Sequence, residues 1–330
     1  MEKNTIKWGI IGCGDVTEVK SGPAFKKVAH SSLLAVMRRN AEKAADYAQR
    51  HQVGKWYADA DQLINDPEIN AIYIATPPSS HEKLTIRALR AGKDVYVEKP
   101  MALSVAGCAN MNAVADETGN KLVIAHYRRA MPYFEKVRTL INNGAIGKVN
   151  LINLQVIQGG NHTIIAQTTE NWRTNPEISG GGLFHDLAPH QLDFMIYLFG
   201  DVKAAVGLAT SKKKESGTDD LICGQLLFEN NIMFNGIWSF NNLLPENIDT
   251  CEIIGTEGKI NFNFFGGTSI KIDSIHEDRI IEIAHPQHVQ QPMIERVVAY
   301  FLNKGPNPCG AEYGIEVLRI IDLFTAKGSK

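Results

Sequence analysis

The sequence has no segment that approaches the roughly 18 uncharged apolar residues a membrane-spanning helix needs. Its opening, Met1-Glu-Lys-Asn-Thr-Ile-Lys-Trp8, holds no long apolar stretch of the kind that marks an export signal. A soluble, unexported, cytoplasmic protein is expected. Cysteine is sparse: Cys13, Cys108, Cys223, Cys251 and Cys309 are scattered, odd in number, and form no Cys-x-x-Cys pair or His/Cys cluster. That spacing gives no metal site and fits a reducing compartment. An excess of one charge is also missing, since 34 Lys and Arg against 36 Asp and Glu leave a net charge of -2. No basic stripe invites nucleic acid, and the one short run, Lys212-Lys-Lys-Glu215, reads as a solvated loop beside Ser216-Gly217. No internal repeat, low-complexity tract or linker breaks the 330 residues. That length suits two domains, each able to bury its own core.

What is present is alternation. Over the first 125 residues, short apolar runs at Ile6 to Ile11, Leu33 to Met37, Lys55 to Tyr57, Ala71 to Ala75, Asp94 to Glu98 and Lys121 to Ala125 are separated by helical patterns. This predicts a parallel sheet with crossover helices, an α/β Rossmann arrangement over residues 1–125. Two of the helices have legible ends: Ser80 to Gly92 and Ser104 to Gly119 each start on a capping serine and stop on glycine. After Tyr127 the pattern changes. A helix from Pro132 to Asn143 leads into a strand from Lys148 to Ile157, and Val202 to about Ile283 is strand-rich. Hairpin turns at Glu229-Asn-Asn231 and Gly255-Thr-Glu-Gly258 predict a largely antiparallel sheet. Helices near Met293 to Asn303 and Ala311 to Lys327 close an α+β domain over residues 126–330.

Gly12-Cys-Gly14-Asp-Val-Thr17 directly follows the first strand. Gly12 permits a tight turn, and Gly14 lets backbone approach a pyrophosphate held at the next helix start. Thr17 occupies the third glycine position, a departure from the dinucleotide fingerprint, and glycine turns between strand and helix also occur for purely structural reasons. The second strand ends in Met37-Arg38-Arg39-Asn40, without the acidic residue that usually holds the NAD ribose. Arginine suits a 2′-phosphate, because its planar fork gives two parallel hydrogen bonds, so NADP(H) is favoured over NAD(H). Alternatively, Arg38 and Arg39 simply open a solvated helix.

Lys99 ends the apolar run Asp94-Val-Tyr-Val-Glu98 and precedes Pro100. A lysine there faces the crevice beyond the strand's carboxyl end, where open α/β sheets bind ligands. The plainer reading is a surface lysine at a strand-loop junction. A second cluster is Gly180-Gly-Gly-Leu-Phe-His-Asp186-Leu-Ala-Pro-His190-Gln-Leu-Asp193. If it is helical, Asp186 and His190 share a face, and a carboxylate beside an imidazole suits substrate hydroxyls and acid-base work. Pro189 fits only near a helix start, which puts Asp186 just before the helix. A capping aspartate and a core histidine are the structural alternative.

In combination these residues resemble the Gfo/Idh/MocA family (glucose-fructose oxidoreductase, inositol dehydrogenase and rhizopine catabolism). The marks, spread over essentially the whole chain, are Gly12-Cys-Gly14, Ala75-Thr-Pro-Pro-Ser-Ser-His81, Glu98-Lys-Pro100, Tyr127-Arg-Arg129, Trp172-Arg173, Gly180-Gly-Gly182, Asp186 with His190, and Ile254-Gly-Thr-Glu-Gly258. The resemblance implies reversible hydride transfer between nicotinamide C4 and a sugar or polyol carbon. It also implies an open sheet face that makes a homo-oligomer, dimer or tetramer. It makes Lys99 and His190 the catalytic pair, in contact with substrate, with Asp186 binding substrate hydroxyls. The cofactor would lie on the Gly12-Cys-Gly14 turn with Asp15 and Val16, on Arg38 and Arg39, and against Thr76, Pro77 and His81. Glu98 would steady the nicotinamide ribose end together with Lys99, and Trp172 and Arg173 would close over it. Tyr127 stands where the family often has the Asn that meets the nicotinamide amide, and it is placed with His185 on the substrate side. For His185 an interior histidine is an equal reading, and for Asn161 and His162 a plain surface loop is preferred. Two other classes share the early steps: a glycosidase or lyase that uses bound NAD transiently, and a cofactor-binding regulator without chemistry. The regulator is expected to have lost the Lys or the His, and both are present.

Overall fold

The computed structural model describes residues 4–158, 172, 175–211, 217–240, 242 and 247–325. Asn161, His162, Arg173, the charge run at 212–215, and Ala326 and Lys327 at the end expected for the last helix lie outside the described residues. Two compact units emerge, Met1–Met131 with Pro286–Glu316, and Pro132–His285 with Val317–Lys330.

The first unit holds strands β1 (Ile6–Ile11), β2 (Ser31–Met37), β3 (Lys55–Tyr57), β4 (Ala71–Ile74), β5 (Asp94–Val97) and β6 (Leu122–Ile124). Between them run α1 (Asp15–Val19), α2 (Ala24–Lys27), α3 (Ala41–Arg50), α4 (Ala60–Ile64), α5 (His81–Arg90) and α6 (Val105–Thr118). The strands pair in the order β3-β2-β1-β4-β5-β6, every pair parallel. Every residue of β4 and β5 is buried, as a parallel sheet covered on both faces requires. The order reverses between β1 and β4, and the carboxyl ends of these neighbours mark the crevice where such sheets take ligands. The ends of α6 follow the capping rules, whereas Ser80 does not cap α5: its side chain makes no cap hydrogen bond, because its hydroxyl donates back to Thr76 Oγ1 and Pro77 O. The Ser104 hydroxyl accepts from Gly107 N at 3.1 Å, and Gly119 ends α6 with φ 66°.

The second unit begins with α7 (Pro132–Asn142), β7 (Val149–Ile157), α8 (Pro176–Ser179) and α9 (Leu183–Phe199). It continues through β8 (Val202–Thr210), β9 (Leu221–Phe228), β10 (Met233–Ser239), β11 (Ile248–Gly255), β12 (Gly258–Phe262), β13 (Ser269–Ser274) and β14 (Asp278–Glu282). Helix α10 (Gln291–Phe301) belongs to the first unit, and α11 (Ala311–Phe324) is divided, its residues up to Glu316 in the first unit and the rest in the second. The eight strands run β14-β13-β12-β11-β7-β10-β9-β8, antiparallel at every pairing except β7 with β10. Both expected hairpins are present, and Asn231 supplies the left-handed residue of the β9–β10 turn with φ 64°. Period-two alternation gives this sheet one apolar face. Phe228, Phe234, Trp238, Ile253, Ile260 and Phe262 are buried, with aromatic contacts to Phe184, Phe194, Phe199 and Phe324. The other face shows Val206, Cys223 and Ile237 beside an amide ladder, in which Gln225 Nε2 donates to Asn235 Oδ1 and Asn235 Nδ2 to Asn153 Oδ1. Leu208 there is 80% exposed.

The Pro189 argument fails here. Helix α9 starts at Leu183, so Asp186 lies within its first turn and Pro189 inside the helix. Proline at that position has no amide hydrogen for the His185 carbonyl one turn earlier, yet the helix continues, because its apolar faces are buried and that packing outweighs one backbone bond. Asp186 and His190 therefore do share a face at i, i+4.

Candidate functional site

In the first unit the site begins with the turn after β1. Gly12 has φ 94°, and its N and that of Cys13 donate to Met37 O at 2.9 and 3.2 Å, tying the turn to the end of β2. A Cβ at Gly12 would lie 2.8 Å from Thr76 N and Cγ2, so this glycine is required by packing at the β1–β4 crevice. Gly14 differs. The nearest atom to a Cβ there is Gly12 O at 4.0 Å, so the fold itself does not demand glycine. Room above the backbone at Gly14 is what close approach of a pyrophosphate requires, and the turn fits a dinucleotide.

Thr17, the departure from the fingerprint, is fully buried. Its hydroxyl donates to Gly14 O at 2.7 Å and its carbonyl accepts from the Tyr47 hydroxyl at 2.7 Å. The close helix packing expected of a third glycine falls instead to Gly22, where a Cβ would meet Thr17 O and the Tyr47 hydroxyl. Glu18 ties α1 to α3 through Arg50 and His51, and the Arg50 hydrogen bonds hold its carboxyl down at about 2. Asp15 is exposed and Val16 partly so.

At the end of β2, Arg38 Nη1 donates to Cys13 O at 3.3 Å, which sets the guanidinium beside the glycine turn. Arg39 is exposed, and Asn40 caps α3 by accepting from Lys43 N. Burial pushes the neighbouring Cys13 thiol up to about 11, so it is inert near neutral pH.

Beyond β4 and β5, His81 is a strut. It is fully buried, with Nε2 2.7 Å from Thr76 O and Nδ1 2.9 Å from Pro100 O, so its ring bridges the two loops. Burial pulls its pKa down, and a neutral ring has one hydrogen to donate between the two carbonyls. Thr76 and Pro77 are half-buried at the end of β4, and the Ser80 hydroxyl donates to Thr76 Oγ1 at 2.7 Å.

Glu98 is 7% exposed, and its Oε1 accepts from the Tyr73 hydroxyl and from Gln290 Nε2, each at 2.6 Å. Its Oε2 faces Lys99 N at 3.3 Å. Lys99 is half-buried, and the peptide bond to Pro100 is cis. Tyr73 and Tyr96 pair across β4 and β5, stacked at 5.2 Å, and burial raises both phenols well above their usual range. Tyr127 is buried in the turn after β6, where Arg128 Nη1 donates to its hydroxyl at 3.2 Å.

In the second unit, Gly180 and Gly182 have φ 91° and 83° and lead into α9. The His185 imidazole packs over Gly181, where a Cβ would come within 2.2 to 2.7 Å of its ring atoms. His185 and His190 are buried and Asp186 is half-buried. The His190 ring meets the edge of Phe265 at 6.1 Å between centroids. Asp249 fixes Phe265 by accepting its amide at 2.5 Å and that of Phe264 at 3.1 Å. Trp172 is half-buried, and its carbonyl accepts from Asn175 N at 3.1 Å. Within each unit, then, the expected residues gather. The glycine turn, Arg38, Thr76, His81, Glu98 and Lys99 share one sheet edge, while His185, Asp186 and His190 share one helix. Sequence reading missed Tyr73, Gln290, Asp249 and Phe265. A tyrosine in each of the aliphatic strands β4 and β5 was the available signal, since a buried hydroxyl calls for a partner.

Gly14→Ala is expected to leave the melting temperature nearly unchanged and weaken binding of the nicotinamide dinucleotide roughly tenfold, about 1.4 kcal/mol. Gly12→Ala should instead destabilise the fold by about 1–3 kcal/mol from its backbone conformation alone. Thermal melts and fluorescence titration with NADH and NADPH separate the two, and equal behaviour of both variants would refute the distinction.

Among the described residues there is no cluster of three potential metal ligands and no helix long and apolar enough to cross a membrane. Residues 6–126 match the GFO_IDH_MocA family model, described as an oxidoreductase family with an NAD-binding Rossmann fold, and residues 134–261 match the GFO/IDH/MocA C-terminal domain. The chain is 45% identical over 325 residues to Oxidoreductase P35 of Formosa agariphila, covering 98% of this chain and 99% of that protein. It is 27% identical over 257 residues to 1,5-anhydro-D-fructose reductase of Ensifer adhaerens, covering 77% and 74%. An aldose-aldose oxidoreductase from Caulobacter crescentus, solved with glycerol, superposes with a TM-score of 0.84 at 24% identity, covering 99% and 98% of the two chains.

Proposed function

We propose that this chain, which belongs to the Gfo/Idh/MocA family of NAD-binding oxidoreductases, is an NAD(P)-dependent dehydrogenase or reductase acting on CH–OH groups of a sugar or polyol. The observation that carries this reading is Lys99. It stands at the carboxyl end of β5, on a backbone whose Glu98 and Pro100 are both anchored, along the sheet edge that carries the open Gly14 turn. The sugar class rests on relatives named for 1,5-anhydro-D-fructose and for aldoses.

The bound nicotinamide supplies a hydride acceptor or donor at C4. The chain handles the proton and the charge. In oxidation the His190 imidazole takes the hydroxyl proton, and the Lys99 ammonium stabilises the negative charge that develops on that oxygen. In reduction Lys99 polarises the carbonyl, and protonated His190 returns the proton. Asp186, with His185 and Tyr127, orients substrate hydroxyls. Thr76, Pro77, Glu98, Trp172 and Arg173 complete the nicotinamide side, His81 holds the two loops there, and Asp15, Val16 and Arg39 flank the phosphates. The open face of the second sheet, with Val206, Leu208 and Ile237 exposed, is the surface through which a homo-oligomer would form. We assign the protein to the cytoplasm, with nicotinamide binding in residues 1–125 and substrate binding and oligomerisation in 126–330.

Arg38 beside the turn, with no acidic residue at the end of β2, supports NADP(H) over NAD(H). Arg38→Asp is expected to move the preference toward NAD, and an unchanged ratio of the two kcat/KM values would refute the phosphate role. The assay for the function itself follows absorbance at 340 nm with NADP⁺ or NAD⁺ and a panel of aldoses and polyols, and in reverse with 1,5-anhydro-D-fructose and other ketoses. Cofactor reduction or oxidation dependent on one of these supports the reading, and no change with any of them would refute it.

A further inference from the structure

The open face of the second unit's sheet carries a polar row between two apolar ones. Gln225 on β9, Asn235 on β10 and Asn153 on β7 stand side by side in register. Leu208, Cys223 and Ile237 line one flank of this row, and Leu227, Met233 and Leu151 line the other. The three amides are joined in one direction: Gln225 Nε2 donates to Asn235 Oδ1 at 2.9 Å, and Asn235 Nδ2 donates to Asn153 Oδ1 at 3.2 Å. The ladder therefore ends in a carbonyl oxygen at Gln225 and in amide hydrogens at Asn153, neither bonded to any side chain among the described residues. Turning all three amides over would reverse the ladder and keep its ends unlike. Water can satisfy both ends while the face is exposed. A surface that covers the face must offer one donor and one acceptor at that spacing, or both ends lose their partners.

A second copy of this chain meets that demand in one orientation. Sheets packed face to face in the aligned mode keep their strands within about 30° of each other, so a two-fold in the interface plane runs either along the strands or across them. An axis across the strands sets each amide against its own copy, with like ends of the ladders together. An axis along β10 reverses one ladder on the other, so the Gln225 carbonyl of each protomer accepts from the Asn153 amide of the other. We propose that the protein pairs through this face about a two-fold along β10, in the register set by the amide ladder. The same axis places Ile237 and Met233 each against its own copy, and Leu227 of each protomer against Leu151 of the other. Apolar side chains then cover apolar ones beside the ladder. Leucines in its place would bury as well but would not select one register, which is the part a buried Asn plays between coiled-coil helices. The proposal deepens the homo-oligomer reading above and rests on it.

Introduced cysteines read the axis directly. Cys223 is exposed and the other four cysteines are buried, so Cys223→Ser gives a background without an accessible native thiol. In that background Ile237→Cys should be joined to its own copy by a short bis-maleimide, giving a covalent dimer on a denaturing gel. Met233→Cys, also on the axis, should behave alike and serves if Ile237→Cys does not fold. Leu208 lies two strands from the axis, in the row of Ile237. At about 4.8 Å per strand the two copies of Leu208 stand about 19 Å apart, so Leu208→Cys alone should stay unlinked. Mixed with Thr250→Cys, two strands to the other side in the same row, it should link. Asn235→Asp sets two carboxylates against each other on the axis and should raise the dissociation constant at least tenfold by analytical ultracentrifugation. A wild-type dimer in which the axis cysteines stay unlinked would overturn the register and leave the homo-oligomer reading standing. A wild-type monomer by light scattering would overturn that reading and the register with it.

Discussion

Lys99→Ala is expected to lower kcat by a factor on the order of 10³, the scale for removing a preorganised charge from a developing oxyanion, while NADPH binding stays measurable. Glu98 is fixed by Tyr73 and Gln290, and the Pro100 carbonyl by His81, so the ammonium is carried on a backbone that does not need substrate to order it. Alanine at this position leaves those anchors in place, because none of them uses the lysine side chain. The loss should therefore appear in kcat. Lys99→Arg keeps a positive charge and changes its reach and shape, and it should recover only part of the rate. Near-normal turnover of Lys99→Ala would remove Lys99 from the mechanism.

His190→Ala is expected to cost on the order of 10² to 10⁴ in kcat/KM, the usual scale for a general acid-base group. His190 is 7% exposed on α9, four residues after Asp186, with its ring against Phe265. Alanine is a better helix former than histidine, so a loss of helix is not the expected cause of the defect. The pH dependence carries the assignment. An acid-base role requires the variant to lose the pH limb that wild-type enzyme owes to the imidazole, whereas an effect confined to KM would make His190 a binding residue.

Much of the fold could be read from local pattern. The runs of β4 and β5 are short, apolar and bounded by turns, and Ser104 and Gly119 mark α6 as capping chemistry requires. Three features resisted. Pro189 argues for a helix start by its missing amide, and only the burial of α9 explains why the helix runs through it. The parallel pairing of β7 with β10 is set by tertiary arrangement, and strand patterns do not encode which neighbour a strand takes. Gln290 and Glu98 are 192 residues apart, so no spacing rule joins them; the hint was that Tyr73 and Tyr96 are hydroxyl-bearing residues inside buried strands. Of the candidate site, the glycine turn and Glu98-Lys-Pro100 were legible because each is a run of consecutive residues. The strut role of His81 was not, because it depends on two carbonyls from different loops.

Direct hydride transfer is the central claim, and the label it moves is the most direct test. NADPH deuterated at C4, prepared separately on each face, is mixed with the protein and the carbonyl sugar that the 340 nm panel identifies, and the product is analysed by mass spectrometry. The account predicts one deuterium on the newly formed CH–OH carbon from one of the two labelled cofactors, in step with the NADPH consumed. Sugar conversion with no deuterium in the product and no net loss of NADPH would contradict it.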